Sequence, residues 1–365
     1  MGTIRFLLAL AVVISHTGSI PFYNGIGSML AVQGFYVISG FLIARIWDIK
    51  YADQPDGTRL FYLSRAARIY LMYWAVLLLA LLFAVVFYGL RGYWPQYMTV
   101  DPSLPWSLIL YQVVENFSLI GASVAYFLGA TPDGSFFFTT DFSKSPVLVW
   151  NMMTIPPAWT LELELWFYLL APFILRLRSR WIVGLAVASF ALRFTWYGMG
   201  YDADPWTYRF FPFEIGVFLL GVIAYRIAPY LPAKRWLSMA CYIVAVAAAS
   251  NFNMASHRFL FLLIFAAMLP LIFDLTKDWR FDRFLADISF PLYLSHWTIA
   301  MIAWRWPVFW PGMPAIVMSI VYSCALVVYV ERPLDRWRHA RFGAGPPGRA
   351  SGQSEACPPF RKTAV

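Results

Sequence analysis

Apolar residues run along this chain in long blocks, broken by short polar stretches. The pattern begins at once. Residues 5–40, RFLLALAVVISHTGSIPFYNGIGSMLAVQGFYVISG, form two apolar runs joined by a very short turn, with His16 near the middle of the first. Runs this long exceed a barrel strand, and in lipid the backbone must satisfy its own hydrogen bonds, so each run predicts a transmembrane helix. Ten crossings are expected, over 4–21, 26–46, 69–90, 161–175, 181–199, 210–228, 236–251, 258–273, 287–304 and 314–330. The fold class is therefore all-α, a polytopic membrane helical bundle. No A-x-A-like cleavage site follows the first run, which leads straight into the next.

An eleventh apolar stretch, 106–127, is resolved by loop charge. Basic residues cluster at Lys50/Arg59/Arg65/Arg68, Arg176/Arg178/Arg180, Arg226/Lys234/Arg235, Lys277/Arg280/Arg283 and Arg332/Arg336/Arg338/Arg341. The positive-inside rule puts all of them in the cytoplasm. Counting back from Arg176 and forward from Arg65 then leaves both ends of 106–127 outside. Gln112, Glu115 and Asn116 also suit a re-entrant or interfacial segment better than a lipid-facing span. Both termini are expected inside. Residues 129–157 form the longest external connection, a candidate lid or acceptor-binding surface. Residues 1–342 read as one membrane domain, and 343–365, rich in Pro, Gly and Ser, as a disordered cytoplasmic tail too short for a further domain.

Composition agrees. The chain of 365 residues is 61% hydrophobic and only 13% charged, against roughly 25% charged in soluble domains. The net charge of +9 is accounted for by loop anchoring against membrane lipid, not by nucleic acid. Cys241, Cys324 and Cys357 are far apart, with no zinc-type spacing and no disulfide framework, and no metal is implied.

The chemistry lies at one depth. At about 1.5 Å per helical residue, His16 sits roughly 16 Å beyond Arg5, Glu164 roughly 18 Å from Arg176, and His296 roughly 20 Å from Arg283. Taken singly, each has a plain structural account: a histidine bonded to a carbonyl, or a carboxylate paired to a cation. Arriving together near the midplane, they predict a site, because ionisable groups at membrane depth are costly and mark function. An imidazole accepts a proton from a hydroxyl and returns one to a leaving group, and a carboxylate orients it. Ser39, in VISGF, more readily serves close helix approach than nucleophilic attack. Arg65 and Arg68, three apart with Arg59 behind, share a face at the cytoplasmic mouth of the third span. They are either ordinary membrane anchors or a grip for a phosphorylated donor.

Six motifs occur in order: Arg5 and His16 as R-x10-H, GFYVISGFLIAR (34–45), FYLSRAARIYLMYW (61–74), PAWTLELELWFYLLAP (157–172), SFPLYLSHW (289–297) and VERPLDR (330–336). Together they resemble the membrane-bound acyltransferase 3 family, which acylates sugars, glycolipids and exported polysaccharides. The resemblance implies His16 as catalytic base with Arg5 its motif partner, Arg65 and Arg68 on the acyl-CoA phosphates, and Glu164, His296 and Glu331 in the family's remaining polar positions. The sequence departs from the family at Gln33, where an acid is common, and at Thr160, where serine is usual. Glu162 is an extra acid. It points about 200° away from Glu164 on a helix, so Glu164 is the one expected to face the site.

The implied activity is O-acyl transfer, most readily O-acetyl transfer, from acetyl-CoA or another acyl-CoA to a glycan or lipid-linked sugar acceptor at the inner membrane. Some relatives carry a hydrolase-like domain after the bundle. Here the bundle is expected to complete transfer itself or to pass its product to polysaccharide-assembly proteins. The competing reading is a secondary transporter or flippase using His16, Glu164 and His296 as a proton relay.

Overall fold

The structure, a computed structural model, describes residues 1–18, 25–92, 104–232, 234–251, 257–303, 312–334 and 336–337. The tail at 343–365, Arg338, Arg341 and Cys357 lie outside the described residues. Eleven α-helices appear among them: α1 Gly2–Thr17, α2 Ser28–Ile46, α3 Gly57–Arg91, α4 Trp106–Ser118, α5 Trp159–Ile174, α6 Ser179–Gly198, α7 Phe211–Ile227, α8 Arg235–Asn251, α9 Arg258–Thr276, α10 Arg280–Ala303 and α11 Met313–Leu326. Every apolar run read as a crossing falls on one of these helices. Among the described residues, six segments are long and apolar enough to cross a membrane: Ser28–Tyr51, Gly57–Leu90, Ser179–Gly198, Phe211–Tyr230, Arg258–Thr276 and Met313–Leu334. The chain is an all-α membrane bundle. Between α4 and α5 lie a short antiparallel hairpin, β1 Leu128–Ala130 with β2 Phe136–Phe138, and four short 3-10 turns.

α4 has 13 residues, about 20 Å of helix, short of the roughly 30 Å hydrocarbon core. It ends where Leu119 takes a left-handed φ of 63° and Gly121 one of 95°. Trp106, Leu110, Val113, Val114 and Phe117 are exposed on one side, while Gln112, Glu115 and Asn116 are buried on the other. Asn116 donates to the carbonyl of Met152 at 2.9 Å and accepts from the Thr154 amide at 2.7 Å. Glu162 accepts from the amides of Gly121 (2.8 Å) and Ser123 (2.5 Å) and from the Ser123 hydroxyl. The polar face of α4 and the extra acid of α5 thus fasten the long connection over the end of the bundle.

Two contacts set the bundle's register. At the start of α1, the carboxylate of Asp282 on α10 accepts from the amides of Gly2 (2.7 Å) and Thr3 (2.8 Å) and from the Thr3 hydroxyl (2.9 Å). It fills the place of an N-cap, satisfying donors that a helix start leaves unpaired. Farther into the bundle, α2 and α7 touch backbone to backbone. A Cβ on Gly40 would lie 1.9 Å from the Phe218 carbonyl oxygen, and one on Gly221 would lie 1.9 Å from that of Val37. Ser39-Gly40 therefore serves close helix approach. Beside this crossing, Gln33 donates to Glu214 (3.1 Å), which pairs with Arg193 at 2.6 Å, all three fully buried. A second acid at position 33 would meet Glu214 in the dark of the bundle. Glutamine supplies donors instead.

Candidate functional site

The Asp282 clamp explains how two histidines far apart in sequence meet. His16 lies fourteen residues past Gly2, and His296 fourteen past Asp282. Two helices tied together at one end and running the same way carry both rings about 21 Å up to one level. There His16 Nδ1 stands 2.9 Å from His296 Nε2, with the rings nearly coplanar, 7° apart. Trp297 meets His16 edge to face.

The partners fix the protons. His296 Nδ1 lies 2.6 Å from the Tyr293 carbonyl. A carbonyl only accepts, so Nδ1 carries the hydrogen and Nε2 is bare. His296 Nε2 then accepts, so His16 donates from Nδ1. This leaves the lone pair of His16 on Nε2, the nitrogen available to take a proton. His296 is fully buried, and the chain of bonds from carbonyl to His296 to His16 does what a carboxylate does in a triad: it selects one tautomer and holds the ring.

Two cavities share a wall here, and one of them contains His16. The first, about 380 Å³, opens among Arg5, Lys50, Arg65 and Arg68, with Glu164 and Tyr168 on its wall. Arg5 interacts electrostatically with Arg68, Glu164 and Glu331. Glu164 accepts from Tyr168 at 3.1 Å and also engages Ser39. Arg65 is 8% exposed and its Nη2 reaches Ser64. Glu331 is buried beside Arg68. The second cavity, about 240 Å³, holds His16 and is walled by rings: Tyr126, Phe142 and Trp150 from the connection between α4 and α5, Trp159 at the start of α5, Tyr208 and Trp297. Val32 and Tyr293 line both cavities, so they form the wall between them. The Tyr293 hydroxyl bonds Thr160 Oγ1 (2.9 Å) and the Pro157 carbonyl (3.1 Å). The hydroxyl of Thr160 thereby fixes that wall.

The six side chains expected at the site divide between these spaces. His16 and His296 come together. Arg5, Arg65, Arg68 and Glu164 share the basic cavity. Glu164 is bonded to Tyr168 and Ser39, so the orienting partner seen on His16 is His296 and not that acid. Residue counts put Glu164 level with the two histidines; instead it meets Ser39, which lies past the Gly34–Leu8 contact toward the start of α1, and shares a cavity with Arg5.

Arg209 was missed by the sequence reading. It follows a short loop after α6, and nothing in its spacing marks it. Its Nε and Nη2 hold the Asp204 carboxylate at 2.7 and 3.1 Å. Tyr126, Trp159 and Tyr208 stand over its guanidinium at 3.7, 4.4 and 4.5 Å. Burial opposes its charge, and Tyr126, Tyr208 and Asp204 outweigh that penalty, so its pKa is raised and it stays cationic.

A family model described as an acyltransferase domain matches residues 2–332. No curated protein and no solved structure matches the chain.

Proposed function

From the premise that the chain belongs to the acyltransferase 3 family, we propose that it moves an acyl group, most readily acetyl, from acyl-CoA to a hydroxyl of a sugar, glycolipid or exported polysaccharide. The carrying observation is the histidine pair, which leaves a lone pair on Nε2 of His16, a residue lining the aromatic cavity, whose wall at Val32 and Tyr293 is shared with the basic one. The basic cavity suits the donor, since CoA bears phosphates and Arg5, Lys50, Arg65 and Arg68 offer charge and donors to them. The aromatic cavity suits a sugar, whose C–H faces stack on rings.

In this reading the basic end faces the cytoplasm, with ten crossings and both termini inside an inner membrane. The acceptor hydroxyl gives its proton to His16 Nε2 as its oxygen forms a bond to the thioester carbonyl carbon. The C–S bond then breaks, and the thiolate takes the proton back from His16, yielding ester and free CoA. His296 spreads and holds the transient positive charge on His16. Arg5 and Glu164 position the donor side of the reaction. An acyl-His16 intermediate uses the same lone pair, and a burst of CoA release ahead of ester formation distinguishes it.

The test is transfer of radiolabel from acetyl-CoA to membrane glycans by purified protein. Labelled product is expected, together with its loss in His16→Ala at unchanged melting temperature. Wild-type turnover in that variant overturns the assignment of the base. Labelled CoA accumulating on one side of a vesicle without product points to carriage instead.

A further inference from the structure

The aromatic cavity holds one feature that the transfer reaction as written leaves unused. Arg209 is 8% exposed, and its guanidinium is fixed on two sides. One edge is occupied: Nε and Nη2 grip Asp204, and Nη2 also donates to the Tyr208 hydroxyl at 2.5 Å. The rings of Tyr126, Trp159 and Tyr208 pack against it. The other edge ends in Nη1, which has no hydrogen-bond partner among the described residues. The side chain stands between two cavities, one of about 480 Å³ lined by Phe127, Trp196 and Trp206 and the one that contains His16, with which it interacts electrostatically.

A buried donor left unpaired is costly, and a charged one more so. A structure that immobilises a guanidinium by two bonds to a carboxylate and three rings, yet leaves one nitrogen unmatched, is organised for a partner that arrives from outside. The wall around it narrows what that partner is. Among the described residues lining this cavity there is no carboxylate, and the surrounding surface is ring faces. Such faces pack on the C–H surface of a pyranose, while its oxygens project edgewise. The Asp204 pairing offsets much of the arginine's charge, so Nη1 acts as a fixed hydrogen-bond donor.

We propose that Arg209 positions the acceptor: Nη1 donates to an oxygen of a pyranose stacked in the aromatic cavity, and so selects which hydroxyl is presented to His16. This rests on the acyl-transfer reading and adds to it the sugar class and the selecting residue. The oxygen belongs either to a neutral sugar hydroxyl or to the carboxylate of a hexuronic acid.

The experiment separates binding from turnover. Saturation-transfer NMR on the full chain in nanodiscs uses methyl glucoside and methyl glucuronide as probes, with acetyl-CoA binding measured in parallel. The variants are Arg209→Lys, which keeps the charge without the second edge, and Arg209→Gln combined with Asp204→Asn, which replaces the ion pair by an amide pair and leaves no unpaired carboxylate. At least one glycoside is expected to bind wild type and to weaken about tenfold or more in both variants, with acetyl-CoA affinity unchanged as the sign of an intact fold. Preference for the glucuronide assigns the partner as a carboxylate, and equal binding assigns it as a hydroxyl. With membrane glycan as acceptor, the variants are expected to raise acceptor KM more than donor KM and to scatter the ester over several hydroxyl positions. Failure of both glycosides to bind, or binding indifferent to both variants, overturns the proposal. Arginine-dependent glycoside binding without any acyl transfer instead overturns the transfer reading and leaves the sugar site standing.

Discussion

Replacing His296 with leucine tests the relay between the two histidines. Leucine is close to histidine in volume, so the buried site stays filled, but it offers nothing to His16 Nδ1–H at the other end of a 2.9 Å bond. A buried donor without a partner costs about 1–3 kcal/mol. His16 then either bears that cost or turns over to the other tautomer, placing the hydrogen on Nε2 where the lone pair is needed. Each 1.36 kcal/mol is about tenfold in rate, so kcat is expected to fall roughly 5- to 150-fold. The donor KM should not move, because the basic cavity is built from other residues. Radiolabel transfer from acetyl-CoA to membrane glycans gives both constants. His296→Gln is the matched control: its amide oxygen restores an acceptor near Nδ1 and should recover most of the loss. A leucine variant as fast as wild type, with His16 still required, refutes the tautomer argument and makes His296 a packing residue.

Other outcomes follow from the same geometry. Arg68→Ala is expected to raise the KM for acyl-CoA about tenfold with little change in kcat, because a charge-assisted contact to phosphate is lost. An unchanged donor KM returns the arginine to anchoring. Asp282→Ala removes the acceptor for two backbone amides and a hydroxyl at the start of α1. It should cost about 2–5 kcal/mol, read as a lowered melting temperature in detergent, and loosen the meeting of the two rings fourteen residues on. Glu214→Ala leaves Arg193 buried and unpaired, for a cost of about 3–5 kcal/mol. Gly221→Ala drives a methyl group into the Val37 carbonyl, so α2 and α7 must part and monodisperse protein should not be recovered on gel filtration.

The long apolar blocks decided the class of fold, since runs too long for barrel strands pair their backbone in lipid only as helices. They also placed every helix, although α3 begins at Gly57, twelve residues before the expected span, and α10 at Arg280, seven before. The polar triplet Gln112, Glu115 and Asn116 set 106–127 apart from the other runs, where the helix has 13 residues. Counting residues from the charged ends put His16, His296 and Glu164 near one depth; that held for the two histidines, while Glu164 lies with Ser39 and Arg5. Depth is a single coordinate, however. Azimuth and neighbourhood come from packing, and there the chain's own sequence was silent. The Asp282 clamp, by tying α1 to α10 at one end, made His16 and His296 partners, while Tyr168 and Ser39 hold Glu164 in the basic cavity. Arg209 entered the aromatic cavity only because a loop folds back and Asp204 and three rings hold its side chain there. Local spacing decides what is helix and how far up a group rises; contacts between segments hundreds of residues apart decide which groups touch, and so which chemistry they share.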